Sequence, residues 1–292
     1  MRRLIPFLLM LAFSREAFAG SSSVWWPGWR ISSSEDLSEE TKYSSYPLPL
    51  MFDGDPATAW VYSATQNARD TTEWPSRYAI ALEPKRPVEV DGLRLMNGQN
   101  QSLARFQRNN RVTQIRVTLF TARKPMTRTF ALPDRMGYHT VSWPRVRINK
   151  LRIQFEGIKR GRDNDICISE LELFNSGRKV GWHLPRAVMF YDGTEGCTAI
   201  YLIARNGRVL DGIAADIGYA DEWSQNNRYV CGYAGGGDNE DYLWVADTWR
   251  GRIIRRIANV NFGADYGWKG NTLHLWSTDK RKPFRRKIVL PS

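Results

Sequence analysis

Three groups of side chains stand at spacings that could do chemistry. Asp53, Asp55 and the hydroxyl of Thr58 fall within one short stretch, Phe52-Asp53-Gly54-Asp55-Pro56-Ala57-Thr58. A turn of this kind offers hard oxygens and backbone carbonyls, the ligand set that calcium takes at about six to eight coordination. Glu170, far along the chain, would complete the charge. The alternative is an Asx-type turn in which both aspartates cap backbone amides and no metal binds.

A second acidic group, Asp192, Glu195, Asp238, Glu240, Asp241 and Asp247, could supply the two carboxylates of a glycosidase. Acidic residues are equally common in the turns of β domains, and their separation is not legible in sequence. Gly235-Gly236-Gly237 is followed by no Gly-Lys-Ser/Thr and by no helix pattern, so it reads as a hairpin loop and not a phosphate cradle. The third group is basic. Between Asp91 and Asp134 there is no acid, while Arg94, Arg105, Arg108, Arg111, Arg116, Arg123, Lys124 and Arg128 give +8. Alternating strand faces divide these charges. Arg105, Arg108 and Arg111 are close enough to form a patch for sulfated, phosphorylated or carboxylated glycans, or they are dispersed and solvated.

These residues sit on strand grammar. Tyr78–Leu82, Val88–Met96, Val112–Thr121, Thr127–Leu132, Tyr138–Trp143, Lys150–Phe155 and Ile166–Phe174 alternate or run β-branched between Pro, Gly, Asn and Asp clusters. That spacing predicts an antiparallel sandwich. Asn175-Ser176-Gly177 reads as a short linker. Beyond it, Ala199–Ala204, Arg208–Ala214, Arg228–Tyr233, Tyr242–Ala246, Arg252–Ile257, Thr272–Trp276 and Lys287–Leu290 predict a second antiparallel β domain. Asn206-Gly207 is a strong hairpin signal, since both central positions of that turn need positive φ.

The N-terminus sets the compartment. Arg2-Arg3, the apolar run Leu4–Phe13 and Ala17-Phe18-Ala19 have the order of a secretory signal peptide, with a mature chain from about Gly20. The run is shorter than the roughly 20 residues that span a bilayer, and no later segment is long and uncharged enough to do so. Residues 20–32, rich in Ser and Trp, read as a docked leader; residues 33–176 and 177–292 read as the two domains. The full chain of 292 residues carries +12, and loss of residues 1–19 leaves +10. That charge divides evenly at +5 on each side of residue 177, which argues against one nucleic-acid-binding domain. Three cysteines and three histidines exclude a disulfide-dense scaffold and a His-rich metal centre. Outside the cytosol Cys197 and Cys231 could pair, closing a loop of about 35 residues with roughly 3 to 4 kcal/mol of stabilisation. Cys167 then reads as a small buried residue; the alternative is three free, packed thiols.

Met51-Phe52-Asp53-Gly54-Asp55-Pro56-Ala57-Thr58-Ala59-Trp60 resembles the opening motif of the discoidin family, also called coagulation factor five/eight type C or galactose-binding-like domains. Gly92–Gly98, Phe106, Asn110-Arg111-Val112 and Ile115-Arg116-Val117 resemble the branch carried as a glycan-binding domain by some secreted NAD glycohydrolases, and Asp165–Leu171 resembles its closing strand. Gln99 stands where that branch often has an aromatic and Cys167 where a small residue is usual. The resemblance covers residues 33–176 and implies an all-β, discoidin-like jelly-roll sandwich that binds without catalysis, in which calcium is structural. It also implies a ligand face at one end of the sandwich, where an aromatic platform meets fixed polar donors. Trp60, Tyr62 and Trp74, with Asn97, Asn100, Arg105, Arg108 and Asn109, are the candidates, although Trp60 suits a core and Asn110-Arg111 suits loop bracing.

The expected function is an exported, non-catalytic binder of a glycan or other anionic cell-surface ligand, with structural calcium as the sole cofactor and no nucleic-acid partner. Two rivals remain: a polysaccharide hydrolase acting through the second half, and an adhesion or structural protein with a protein partner. The basic tail Lys280–Lys287 could touch an anionic surface peripherally or guard a sheet edge.

Overall fold

The computed structural model describes residues 22–26, 28–33, 48–63, 79–163, 165–180, 186–192, 198–204, 209–215, 217–236, 239–258, 264–277 and 284–291. A hairpin of β1 (Ser22–Trp26) and β2 (Trp29–Ser33) comes first. A buried 3-10 turn, Leu48–Met51, precedes β3 (Trp60–Ser63). Then follow β4 (Ala79–Pro84), β5 (Val88–Asn97), the helix α1 (Leu103–Arg108), β6 (Arg111–Phe120), β7 (Met126–Ala131) and β8 (Tyr138–Ile148). β9 (Lys150–Lys159), β10 (Asp165–Asn175) and β11 (Arg178–Val180) complete the first half.

The fold is all-β and antiparallel. One sheet runs β2-β4-β9-β6-β7; the other runs β11-β10-β5-β8, with β3 also on β10. Alternation decides which face goes in: Leu151, Ile153 and Phe155 of β9 and Ile115, Val117 and Leu119 of β6 are buried with Leu93, Leu95 and Trp60 from the facing sheet. Burying each such side chain stabilises by about 1.5–3 kcal/mol. β8 continues past Trp143 through Pro144, because the register shifts between Val90 and Gly92 and leaves that proline at a bulge, where its missing N–H costs no ladder bond.

Two boundaries differ from the sequence reading. Residues 22–33 are no separate leader: β2 pairs with β4 (Ile31 opposite Leu82) and β1 with β12 (Arg186–Asp192), so the hairpin joins both halves in one nine-stranded sheet. Asn175-Ser176-Gly177 is no linker. Ser176 and Gly177 both take positive φ (52° and 72°) and form the two-residue turn between β10 and β11, with Asn175 opposite Arg178.

The second half has more strands than expected. β13 (Thr198–Ala204) pairs with β12 on one side and with β14 (Val209–Ala215) on the other, so the strands flanking Asn206-Gly207 do form a hairpin. β15 (Ile217–Trp223), β16 (Tyr229–Gly236), β17 (Asn239–Asp247) and β18 (Arg252–Ala258) make a four-stranded sheet, and β19 (Ala264–Lys269), β20 (Thr272–Ser277) and β21 (Arg285–Val289) a three-stranded one. One face of the four-stranded sheet buries Val230, Ala234, Trp244 and Ala246 against Leu202 of β13. The other buries Tyr229, Cys231, Leu243 and Val245 against Leu273, Leu275 and Leu290. Because both faces are covered, alternation is weak there, and the Gly- and Asp-bearing β15 and β19 escaped the sequence reading. Gly236 lies opposite Asn239, which makes the glycine run the approach to a hairpin.

Candidate functional site

Strand direction gathers the loops. β3, β5, β7 and β9 end, and β4, β6, β8 and β10 begin, at one end of the sandwich: Met96 faces Tyr138, Arg111 faces Lys159, and Ser63 faces Asp165. The connections 98–110, 132–137 and 160–163 therefore emerge together. Trp74, in the stretch of sequence between β3 and β4, lies outside the described residues, as does the Tyr62 side chain. Tyr62 itself pairs with Ile166 on β3.

The 98–110 connection is braced from within. Asn97 is fully buried, and its amide donates to the Val112 carbonyl (2.6 Å) and accepts from the Val112 N–H (2.9 Å). Asn100 donates to the carbonyls of Asn97 and Gly98 and accepts from Gly137 N–H at 2.8 Å. Ser102 caps α1, its hydroxyl oxygen accepting from Arg105 N–H. Asn109 donates to Gln99 Oε1 (3.1 Å) and to the Arg105 carbonyl (2.9 Å). Gly98 takes φ +75°, and a Cβ there would meet the Phe106 ring at 2.8 Å. Gly161 passes so close to Arg108 and Asn109 that a Cβ would lie 2.3 Å from the Arg108 carbonyl oxygen.

Arg111 holds these pieces together. Buried under Phe106, it donates to Asp134 Oδ1 (2.8 Å) and to the carbonyls of Phe106, Gln107 and Asn109. The arginine patch expected at 105, 108 and 111 is thereby divided. Arg111 faces inward, Arg108 pairs with Asp163 at 2.6 Å, and Arg105 stays exposed on α1. Arg94 and Arg116 of the +8 stretch are likewise paired, with Glu172 and Glu156. Asp134, which ends the acid-free stretch, accepts from both Arg111 and Lys159, and these hydrogen bonds hold its carboxyl below the usual range. Asp134 was missed in sequence; its place as the first acid after a long basic run was the signal.

Of the nominated ligand residues, Trp60 is 2% exposed and packs 6.1 Å from Phe155, so it belongs to the core with Asn97. Asn109 is committed to bracing. Arg105 and Arg108, with Leu103 (58% exposed) and Gln107, form the open face of α1. The side chains open to solvent at this end are thus those of the short helix, not the buried amides.

The structure brings Asp53 and Glu170 together and leaves Asp55 exposed. Asp53 Oδ1 accepts from Asp55 N–H (2.8 Å) and its Oδ2 from the Thr58 hydroxyl (2.8 Å), while Asp55 caps Ala57 N–H. Glu170 lies on β10 between the stretches paired with β3 and β11, wholly buried, and neither carboxylate oxygen meets a hydrogen-bonding partner at bonding distance and angle among the described residues. Burial, then the charge of Asp53, pushes Glu170 up to about 8; burial also raises Asp53. Two residues on, Glu172 behaves oppositely. Burial would raise it, but hydrogen bonds from Arg94 and Lys179 hold it below its usual value. Among the described residues no three acidic, His or Cys side chains converge. A cation at Asp53 and Glu170 would take those two carboxylates with hydroxyl and carbonyl oxygens, an all-oxygen set that fits calcium.

In the second half Cys231 is buried on β16; its proposed partner Cys197 lies outside the described residues. Cys167 is buried, and burial pushes its thiol well above the usual range. Asp247 is not an available catalytic acid, because it is buried against Arg228 (3.0 Å) and caps the Trp249 and Arg250 N–H groups. The side chains of Asp192, Glu240 and Asp241 and the whole of Glu195 and Asp238 lie outside the described residues.

The model of the family described as "NAD glycohydrolase translocation F5/8 type C domain" matches residues 27–174. No curated protein matches the chain. Among solved structures, a family 32 carbohydrate-binding module of NanJ from Clostridium perfringens, in complex with galactose, is similar at 13% identity and TM-score 0.37, over 53% of this chain and 99% of that one. An F5/8 type C domain from Bacteroides fragilis is similar at 17% identity and TM-score 0.37, over 53% and 95%. A further module from C. perfringens, in complex with GalNAc-β-1,3-galactose, is similar at 13% identity and TM-score 0.37, over 52% and 99%.

Proposed function

This chain belongs to the NAD glycohydrolase translocation F5/8 type C domain family, and from that premise we propose that it is an exported carbohydrate-binding protein that performs no chemistry on its ligand. The observation that carries this reading is the meeting of connections 98–110, 132–137 and 160–163 at one end of the sandwich, with 98–110 held rigid by Arg111, Asn97 and Asn109. A prebuilt loop surface loses little entropy on binding, which is what recognition of a small, strongly hydrated ligand needs. The open face of α1, with Arg105 and Gln107 as donors and Arg108 beside Asp163, suits hydroxyl or carboxylate groups of a glycan. Trp74, on the 64–78 connection, is the candidate platform.

Calcium at Asp53 and Glu170 is proposed as a structural ion. The burial of the Glu170 carboxylate beside that of Asp53 supports it. The Arg2-Arg3 start, the apolar run and Ala17-Phe18-Ala19 support export with cleavage after Ala19.

The test is a glycan array probed with the mature full chain, with and without chelator. Binding to defined glycans, weakened by Arg105→Ala with Arg108→Ala, is expected. Absence of any glycan signal, or release of reducing ends from a bound polysaccharide, would overturn the reading.

A further inference from the structure

Outside that module, the end of the four-stranded sheet where β15 meets β16 and β17 meets β18 presents a tryptophan that no part of the proposed function uses. Trp249 is 54% exposed although it sits in a tightly built turn. Asp247 Oδ1 accepts from the N–H groups of Trp249 (3.0 Å) and Arg250 (3.1 Å), and Gly251, at φ +66°, donates to the Asp247 carbonyl at 2.8 Å. Asp247 is itself locked by two hydrogen bonds from Arg228, at 3.2 and 3.0 Å. The Arg228 guanidinium lies 5.2 Å from the centroid of the Trp249 ring and 5.0 Å from that of Tyr229, so it backs the indole from beneath.

A second turn lies alongside. Thr248 donates to the Arg228 carbonyl through both its N–H (2.9 Å) and its hydroxyl (2.8 Å), which puts Asn227 and Trp249 next to each other at the tip. Asn227 takes φ +59°; Ser224 and Asn226 brace the turn, the exposed amides of Gln225 and Asn227 are left to solvent, and the Arg250 guanidinium is exposed but 3.8 Å from Asp247 Oδ2. The other large exposed apolar side chains among the described residues, Leu103, Trp276, Phe284 and Val289, belong to α1 and to the β20–β21 hairpin and its approach. With no other large exposed apolar side chain on these two turns among the described residues, this indole rimmed by amides and guanidinium lacks the desolvating apolar surround of a protein hot spot or a lipid-facing surface. It has what a sugar needs: a flat, rigid, polarisable face for ring C–H groups and fixed donors around it for hydroxyls.

We propose that Trp249, Arg250, Gln225 and Asn227 form a second carbohydrate-binding site, on the paired 224–228 and 247–251 turns. It is independent of the first module, and its ligand is a pyranose ring stacked on the indole. Two such sites on one chain raise the avidity for a polymer that spans both.

The experiment probes an array of neutral and acidic oligosaccharides with the mature full chain, Trp249→Ala, Trp249→Tyr, and Arg105→Ala with Arg108→Ala. Vesicles of phosphatidylcholine with phosphatidylglycerol form a second arm. At least one glycan signal is expected to weaken about tenfold or more in Trp249→Ala, to recover in Trp249→Tyr, and to survive the double arginine substitution. Glycan signals that are all unchanged in Trp249→Ala, or absent from the wild-type chain, would overturn the proposal. So would Trp249-dependent binding to the vesicles alone. Because Trp249 is mostly exposed, an unchanged melting temperature verifies that the alanine variant is folded. Loss of the glycans sensitive to Arg105 and Arg108 alone counts against the first module and leaves this site standing.

Discussion

The loop end of the sandwich and the paired turns of the second half solve the same problem in opposite ways. At the sandwich end, polar side chains that looked like ligand donors bond to their own backbone: Asn97 to Val112, Asn109 to Arg105, Arg111 to three carbonyls. At the 247–251 turn one buried Asp–Arg pair fixes the backbone, and an indole is left 54% exposed. A polar residue in a loop is therefore first a candidate brace, and its availability depends on whether the backbone around it has other partners.

The largest expected effect comes from breaking the braced side. Arg111→Ala removes the partner of Asp134 and the donor to three buried carbonyls, and should destabilise the chain by about 3 kcal/mol or more in urea unfolding. An Asp247→Ala variant sharpens the contrast: it strands Arg228 and two turn amides, with an expected loss of about 3 kcal/mol in the same assay. If Asp247→Ala left stability unchanged, the rigid turn under Trp249 would be refuted.

Glu170 is the exception on the braced side, a buried carboxylate with that of Asp53 beside it. Its folded-state value of about 8 lies above the ordinary 4.5, so the folded chain holds this proton more tightly than the unfolded one. The associated stability is complete below about pH 4.5 and is lost as pH rises through about 8. Glu170→Gln should flatten that slope and stabilise the metal-free chain by about 1–3 kcal/mol at pH 9. Calcium should raise the melting temperature of the wild type at that pH and leave Glu170→Gln unmoved. A wild-type slope that persists in Glu170→Gln would remove this carboxylate from the account. The smallest effect is expected at the open positions: Arg105→Ala and Trp249→Ala should each change stability by less than about 0.5 kcal/mol.

The first half was largely legible in sequence because its strands bury one face and leave the other wet, so β6 and β9 announce themselves by alternation. The hydrogen-bonded turn of Asp53, Asp55 and Thr58 was legible too, since these residues are local and Glu170 had a motif around it. The β1–β2 hairpin was not, because its partners β4 and β12 are distant in sequence and only pairing makes it the bridge between halves. Asn97 and Trp60 misled for a related reason: residue type reveals what a side chain can bond, while burial decides what it does. Trp249 was passed over because nothing in Asp247-Thr248-Trp249-Arg250-Gly251 announces that the aspartate faces inward and the indole outward.

The central claim, that the loop end of the first module binds carbohydrate, is tested most directly by titrating the mature full chain calorimetrically with the strongest glycan from the array, beside Arg105→Ala with Arg108→Ala. The account predicts saturable binding that weakens about fivefold or more in the double variant while its melting temperature holds. Binding of equal strength in the two proteins, or no heat from either, would contradict it.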